Sequence, residues 1–74
     1  MFTILVINTY DGKPAVDERV SVAFNGWFRG VTSSKYTDRN GEVHFNEDNG
    51  EGIVYVNGEN KYEGEIAGRI IIYL

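Results

Sequence analysis

Asp-Gly and Asn-Gly pairs punctuate the chain at Asp11-Gly12, Asn25-Gly26, Asn40-Gly41, Asn49-Gly50 and Asn57-Gly58, and they constrain its fold more than any other feature. Asn, Asp and Gly adopt positive φ at little cost, so each pair marks a tight turn. The runs between them are short, and they either alternate with period two or are apolar throughout; none shows a helical period. A chain divided in this way folds as an all-β domain of many short strands, a sandwich or a small barrel.

Taken in order, Phe2 to Ile7 is a first strand rich in β-branched and aromatic residues, expected to be buried on both faces or nearly so. It ends at Tyr10-Asp11-Gly12-Lys13-Pro14, where the only proline cannot donate to a central ladder. Arg19 to Phe24 alternates cleanly, with Val20, Val22 and Phe24 on one face, and is a second, half-buried strand. Val31 to Thr37 and Glu42 to Phe45 follow as third and fourth strands. The polar, glycine-rich stretch from Asn46 to Gly52 is a loop. Ile53 to Val56 is a fifth strand ending at Asn57-Gly58, Lys61 to Ile66 a short sixth, and Arg69 to Leu74 the last.

Tyr36 to Phe45 is expected to be a hairpin, and its turn has two forms. Asn40-Gly41 as a two-residue type I′ turn places Tyr36 opposite Phe45, with Val43 on the same face. A type I turn over Asp38 to Gly41, closed by a left-handed Gly41 and a bulge, pairs Tyr36 with His44 instead. The first gives a coherent apolar side and is the preferred reading. At the other end of the chain, Ile70 to Leu74 is apolar at every position and would be an aggregation hazard on a bare sheet edge. The last strand is therefore expected at the centre of a sheet or on an edge covered by another subunit. Pairing it with the first strand would bring the termini close together.

With 74 residues there is room for one domain and one core, and a chain of this size buries only about 60–65% of its unfolded surface. It has no cysteine, so neither a disulfide nor a thiolate metal site reinforces that core. Eleven acidic against seven basic residues give a net charge of −4, which argues against nucleic acid as a partner, because phosphate binding draws on clustered Lys and Arg. Met1 to Ile7 lacks the basic flank, length and cleavage site of a signal peptide, and no run is long enough to cross a bilayer as a helix. A membrane partner is accordingly not expected. The chain reads as a complete short cytoplasmic product, or as a domain of something larger whose compartment is open.

Candidate chemistry is sparse. His44 alternates with Val43 and Phe45 and is expected to point outward as a solvated strand residue, with no second ligand at a metal or nucleophile spacing. Glu42, Glu47, Asp48, Asn49 and Glu51 could gather oxygen ligands, but not at the alternate positions of a calcium loop. Glu63 and Glu65 share a strand face, yet acid–base work also needs a pocket. No cofactor, metal or enzymatic activity is expected. The binding candidates are Trp27, Phe28 and Arg29, large side chains on a glycine-flanked connection that could stack on a sugar or bury in a partner, extended by Tyr10 and Tyr62 on neighbouring loops. In a thin sandwich such an aromatic also closes the end of the core; in an extended segment one of Trp27 and Phe28 plugs while the other is presented.

The order Gly12-Lys13-Pro14-Ala15, Val20-Ser21-Val22, Thr37-Asp38 with Gly41 and Phe45, then Ile53-Val54-Tyr55-Val56 resembles the prealbumin-like β-sandwiches, which include carboxypeptidase regulatory-like domains and the B-type repeats of bacterial adhesins. The resemblance spans residues 4 to 57. It implies a small seven-stranded, immunoglobulin-like Greek-key antiparallel β-sandwich, with structural or interaction roles rather than catalysis. The chain departs from the hydroxyisourate hydrolases of similar fold, having only His44 and ending Ile72-Tyr73-Leu74. Its first strand has no lysine and its last no asparagine, so the isopeptide cross-link of the adhesin domains is not expected. Two functions remain: a non-catalytic module that binds another protein or itself through an edge strand, forming a homo-oligomer, and a small carbohydrate-type ligand domain using the Trp27-Phe28-Arg29 loop.

Overall fold

Alternation of apolar residues within short runs fixes the architecture, because each run has one face to bury. The computed structural model describes residues 1–25 and 30–74. It contains seven strands: β1 (Phe2–Ile7), β2 (Arg19–Phe24), β3 (Lys35–Tyr36), β4 (Glu42–Phe45), β5 (Gly50–Val56), β6 (Glu59–Ile66) and β7 (Gly68–Tyr73). They form a β-sandwich of a three-stranded sheet, β4-β1-β7, and a four-stranded sheet, β3-β2-β5-β6. The inward residues of both sheets meet in one core: Phe2, Ile4 and Val6 of β1 face Val20, Val22 and Phe24 of β2, with Val43, Phe45, Val54, Val56, Ile66, Ile70 and Ile72 around them. At one end Phe2 stacks on Phe45 with ring centres 5.2 Å apart and meets Phe24 edge-on at 5.9 Å, so three aromatic rings close the core there.

The expected hairpin between Tyr36 and Phe45 does not form. Tyr36 pairs with Arg19 in the four-stranded sheet and Phe45 pairs with Phe2 in the three-stranded one, so the turn carries the chain from one sheet to the other. Locally the bulged turn wins. The Gly41 N–H donates to the Asp38 carbonyl (2.9 Å), the Asp38 N–H donates to the Glu42 carbonyl (3.0 Å), and only Gly41 has positive φ (74°). A Cβ on Gly41 would lie 2.6 Å from the Val6 carbonyl oxygen, so packing as well as φ demands glycine. Thr37, just before the turn, is buried; its hydroxyl donates to the Ala15 carbonyl (2.6 Å) and accepts from the Glu18 N–H (2.9 Å), satisfying backbone groups of the crossing segment. The two-residue turn with positive φ at both positions occurs instead at Asn57-Gly58 (53° and 84°), where β5 and β6 do form a hairpin.

Other boundaries shift for identifiable reasons. The third strand, expected over Val31 to Thr37, is regular only at Lys35–Tyr36, with a separate bridge between Val31 and Ala23. β5 begins at Gly50, inside the expected loop, because Gly50 and Glu51 pair with Ile66 and Glu65 of β6. β1 is buried on its inner face at Phe2, Ile4 and Val6 and half-buried on its outer face at Thr3, Leu5 and Ile7.

The last strand pairs with the first, and does so in parallel: Phe2 lies opposite Gly68 and Ile7 opposite Tyr73. All other strand pairings are antiparallel. A parallel pair holds the chain ends at opposite ends of the strands, so the termini are not brought together. It also makes β1 the central strand and leaves β7 on an edge.

Candidate functional site

Trp27, Phe28 and Arg29 lie outside the described residues. Tyr10 is 87% exposed in the turn after β1, which is closed by Gly12 N–H to Asn8 carbonyl (2.8 Å) and Asn8 N–H to Lys13 carbonyl (2.9 Å). Tyr62 is not on a loop: it stands on β6, packs against the core and donates its hydroxyl to the Glu65 carbonyl (2.7 Å). Of the residues that flank the candidate loop, Gly30 accepts from the Phe24 N–H at the end of β2 (2.9 Å), and Asn25, next to Phe24 in the chain, donates its N–H to the Glu51 carbonyl of β5 (2.9 Å). That is the end of the sandwich where β1 begins, whereas Tyr10 lies where β1 finishes. The structure therefore brings no sugar-stacking platform together from Tyr10 and Tyr62, and no concave pocket forms among the described residues.

The titratable groups offer one cluster. Asp38, Glu42 and His44 each bring a ligand atom within 4.8 Å of the others, on the crossing turn and β4. Their polar atoms are already engaged: Glu42 Oε2 accepts from Arg69 Nη1 at 2.6 Å, His44 Nδ1 meets Thr3 Oγ1 at 2.9 Å, and Asp38 Oδ1 accepts from the N–H groups of Asn40 (2.9 Å) and Glu42 (3.0 Å). The Glu42 N–H holds the Asp38 carboxyl below the usual aspartate range; desolvation opposes it, and the Asn40 N–H with the nearby His44 and Arg39 adds to the lowering. The cluster organises the turn. His44 is exposed, as its alternation implied, while Glu42 points to Arg69 rather than joining the Glu47 to Glu51 stretch.

What remains are the sheet edges, and they differ sharply. Along a strand, successive residues direct both N–H and C=O to alternate sides. Leu74 exchanges both of its groups with β1, donating to the Ile7 carbonyl (2.8 Å) and accepting from the Thr9 N–H (3.2 Å). By alternation, Arg69, Ile71 and Tyr73 direct their N–H and C=O groups away from β1, and among the described residues nothing pairs with them. Their side chains stand on the outer face: Ile71 is 47% and Tyr73 62% exposed, beside their cross-strand neighbours Leu5 and Ile7. Arg69 is drawn across β1 to Glu42, away from the free edge.

The opposite edge of the same sheet is β4, whose outward residues are Glu42 and His44. The Glu42 carbonyl accepts from the Asp38 N–H, the Glu42 N–H donates to Asp38 Oδ1, and the His44 carbonyl accepts from Lys35 Nζ at 2.8 Å. In the other sheet, β3 is only two residues long. β6 directs Glu63 and Glu65 to its free side, and the Glu65 carbonyl is taken by the Tyr62 hydroxyl. Among the described residues, only β7 presents several consecutive outward residues without a guard.

No family model, curated protein or solved structure matches this chain.

Proposed function

We propose that this chain is a non-catalytic interaction module that takes a partner strand onto the free edge of β7, on a Greek-key sandwich of the prealbumin-like kind. The fold part of the reading is supported by the chain's repeated passage between sheets, at β1–β2, β3–β4, β4–β5 and β6–β7. The functional part rests on one observation: Arg69, Ile71 and Tyr73 present an unpaired row of N–H and C=O groups under exposed apolar side chains, while the other edges are short, charged or hydrogen-bonded. Unpaired strand edges recruit strands, and proteins that must stay apart block them.

Amide hydrogen exchange tests the reading. In dilute protein the Arg69, Ile71 and Tyr73 amides exchange fast while that of Ile72, bonded to β1, is protected. Raising the protein concentration, or adding a peptide copying residues 68–74, slows the three outward amides selectively. Slow exchange at those amides in dilute protein, or no gain in protection with either addition, overturns the reading.

A further inference from the structure

We infer that the strand received by β7 is β7 of a second copy, paired antiparallel about Ile71 so that two chains form one continuous sheet, β4-β1-β7-β7′-β1′-β4′. This rests on the reading of β7 as the interaction edge and adds partner, direction and register to it.

The register follows from which backbone groups are free. The outward residues are Arg69, Ile71 and Tyr73, equally spaced about Ile71. An antiparallel pair centred there sets Ile71 opposite Ile71 and Arg69 opposite Tyr73, all as hydrogen-bonded pairs, so every outward N–H and C=O finds a partner. A shift of two residues leaves the groups of Arg69 or Tyr73 unpaired. A shift of one sets outward groups against groups already bonded to β1. Parallel pairing sets each outward residue opposite one already bonded to β1, as Leu5 stands to Ile71, and so turns the two Ile71 side chains to opposite faces of the joined sheet.

Side-chain chemistry selects the same arrangement. Glu42 holds the Arg69 guanidinium over β1 at 2.6 Å, so the part of Arg69 nearest the edge is its methylene stem. The ring of Tyr73 from the second copy lies on that stem, beside the apolar contact between the two Ile71 side chains. The contact is isologous and closes on itself. β4 and β6 are guarded in both copies, so the assembly stops at two rather than growing into a filament.

The absence of cysteine makes the register directly measurable. In an antiparallel hydrogen-bonded pair the Cα atoms are about 5.5 Å apart and the Cβ atoms lie at the wide end of about 4.5–5.5 Å, beyond a disulfide's roughly 3.5–4.5 Å and within reach of a short bis-maleimide. Ile71→Cys protein is expected to form a covalent dimer with a short bis-maleimide, on the order of tenfold or more faster than Tyr10→Cys, because the dimer raises the local thiol concentration. Arg69→Cys and Tyr73→Cys chains, slow alone, cross-link when mixed. The mixture keeps the test decisive if Ile71→Cys weakens the interface. Protection of the outward amides with rising concentration, but without preferential cross-linking at 71 or between 69 and 73, overturns the register and leaves the edge reading standing. Sedimentation as a monomer at all concentrations, with the outward amides protected by the 68–74 peptide, overturns self-pairing alone. No protection by either route overturns both.

Discussion

β6 and β7 follow one another along the chain, and each ends its sheet, yet they treat their free edges in opposite ways. On β6 the outward side carries Glu63 and Glu65, and the Tyr62 hydroxyl occupies an outward carbonyl. A second copy approaching this edge would meet like charge and a spent acceptor. On β7 the outward residues carry Ile71 and Tyr73, and the single charge, Arg69, is held away by Glu42. The contrast shows that edge protection in this fold is local, set by a few side chains and independent of the shared core behind both strands.

The largest effect separates the two faces of β7 itself. Ile72 is 3% exposed and packs in the core, so Ile72→Ala is expected to cost about 2–5 kcal/mol of stability by urea unfolding. Ile71→Ala should stay within about 0.5 kcal/mol for the isolated chain while weakening association seen by sedimentation. Equal losses of stability would erase the distinction between a core face and an interface face.

Next in size is removing the guard. Replacing both carboxylates of β6, Glu63→Thr with Glu65→Thr, gives the molecule a second open edge, and light scattering is expected to show species larger than a dimer. If the double variant keeps the wild-type mass at every concentration, charge is not what protects β6. A smaller change is Tyr62→Phe, which frees the Glu65 carbonyl while keeping the ring against the core; the loss is about 0.5–1.5 kcal/mol, with faster exchange along β6 and none along β7.

The smallest effect is electrostatic and concerns the guarded edge of β4. Asp38 has a lowered pKa in the folded chain because the N–H groups of Glu42 and Asn40 donate to it. Its contribution to stability is therefore complete above the ordinary aspartate range and is lost as pH falls through the folded-state value. Urea midpoints of the wild type should decline there more steeply than those of Asp38→Asn, whose side-chain oxygen still accepts but does not titrate. Parallel acid limbs would remove Asp38 from the account of that edge.

Much of the fold could be read from residues one at a time. Period-two alternation placed Val20, Val22 and Phe24 inward, and the Asn57-Gly58 pair marked a hairpin turn that forms. The error at Asn40-Gly41 is instructive: the turn forms locally, but Thr37 and Gly41 are each held by distant backbone, at Ala15, Glu18 and Val6, and the flanking strands part to different sheets. Short-range signals specify a turn and not the sheets its arms join. The site divides in the same way. Unbroken apolarity from Ile70 to Leu74 singled out the last strand, whereas the Tyr62–Glu65 and Lys35–His44 bonds that close the other edges carry no sequence mark.

By itself, then, the sequence determined the strand-forming runs and their inward residues, since these depend on alternation and burial within a few residues. Tertiary structure decided that the first and last strands pair and do so in parallel, that β7 is an edge, and that among the described residues this edge alone is left open. Those outcomes depend on which sheet each run enters and on hydrogen bonds between residues far apart in the chain, and local spacing does not encode them.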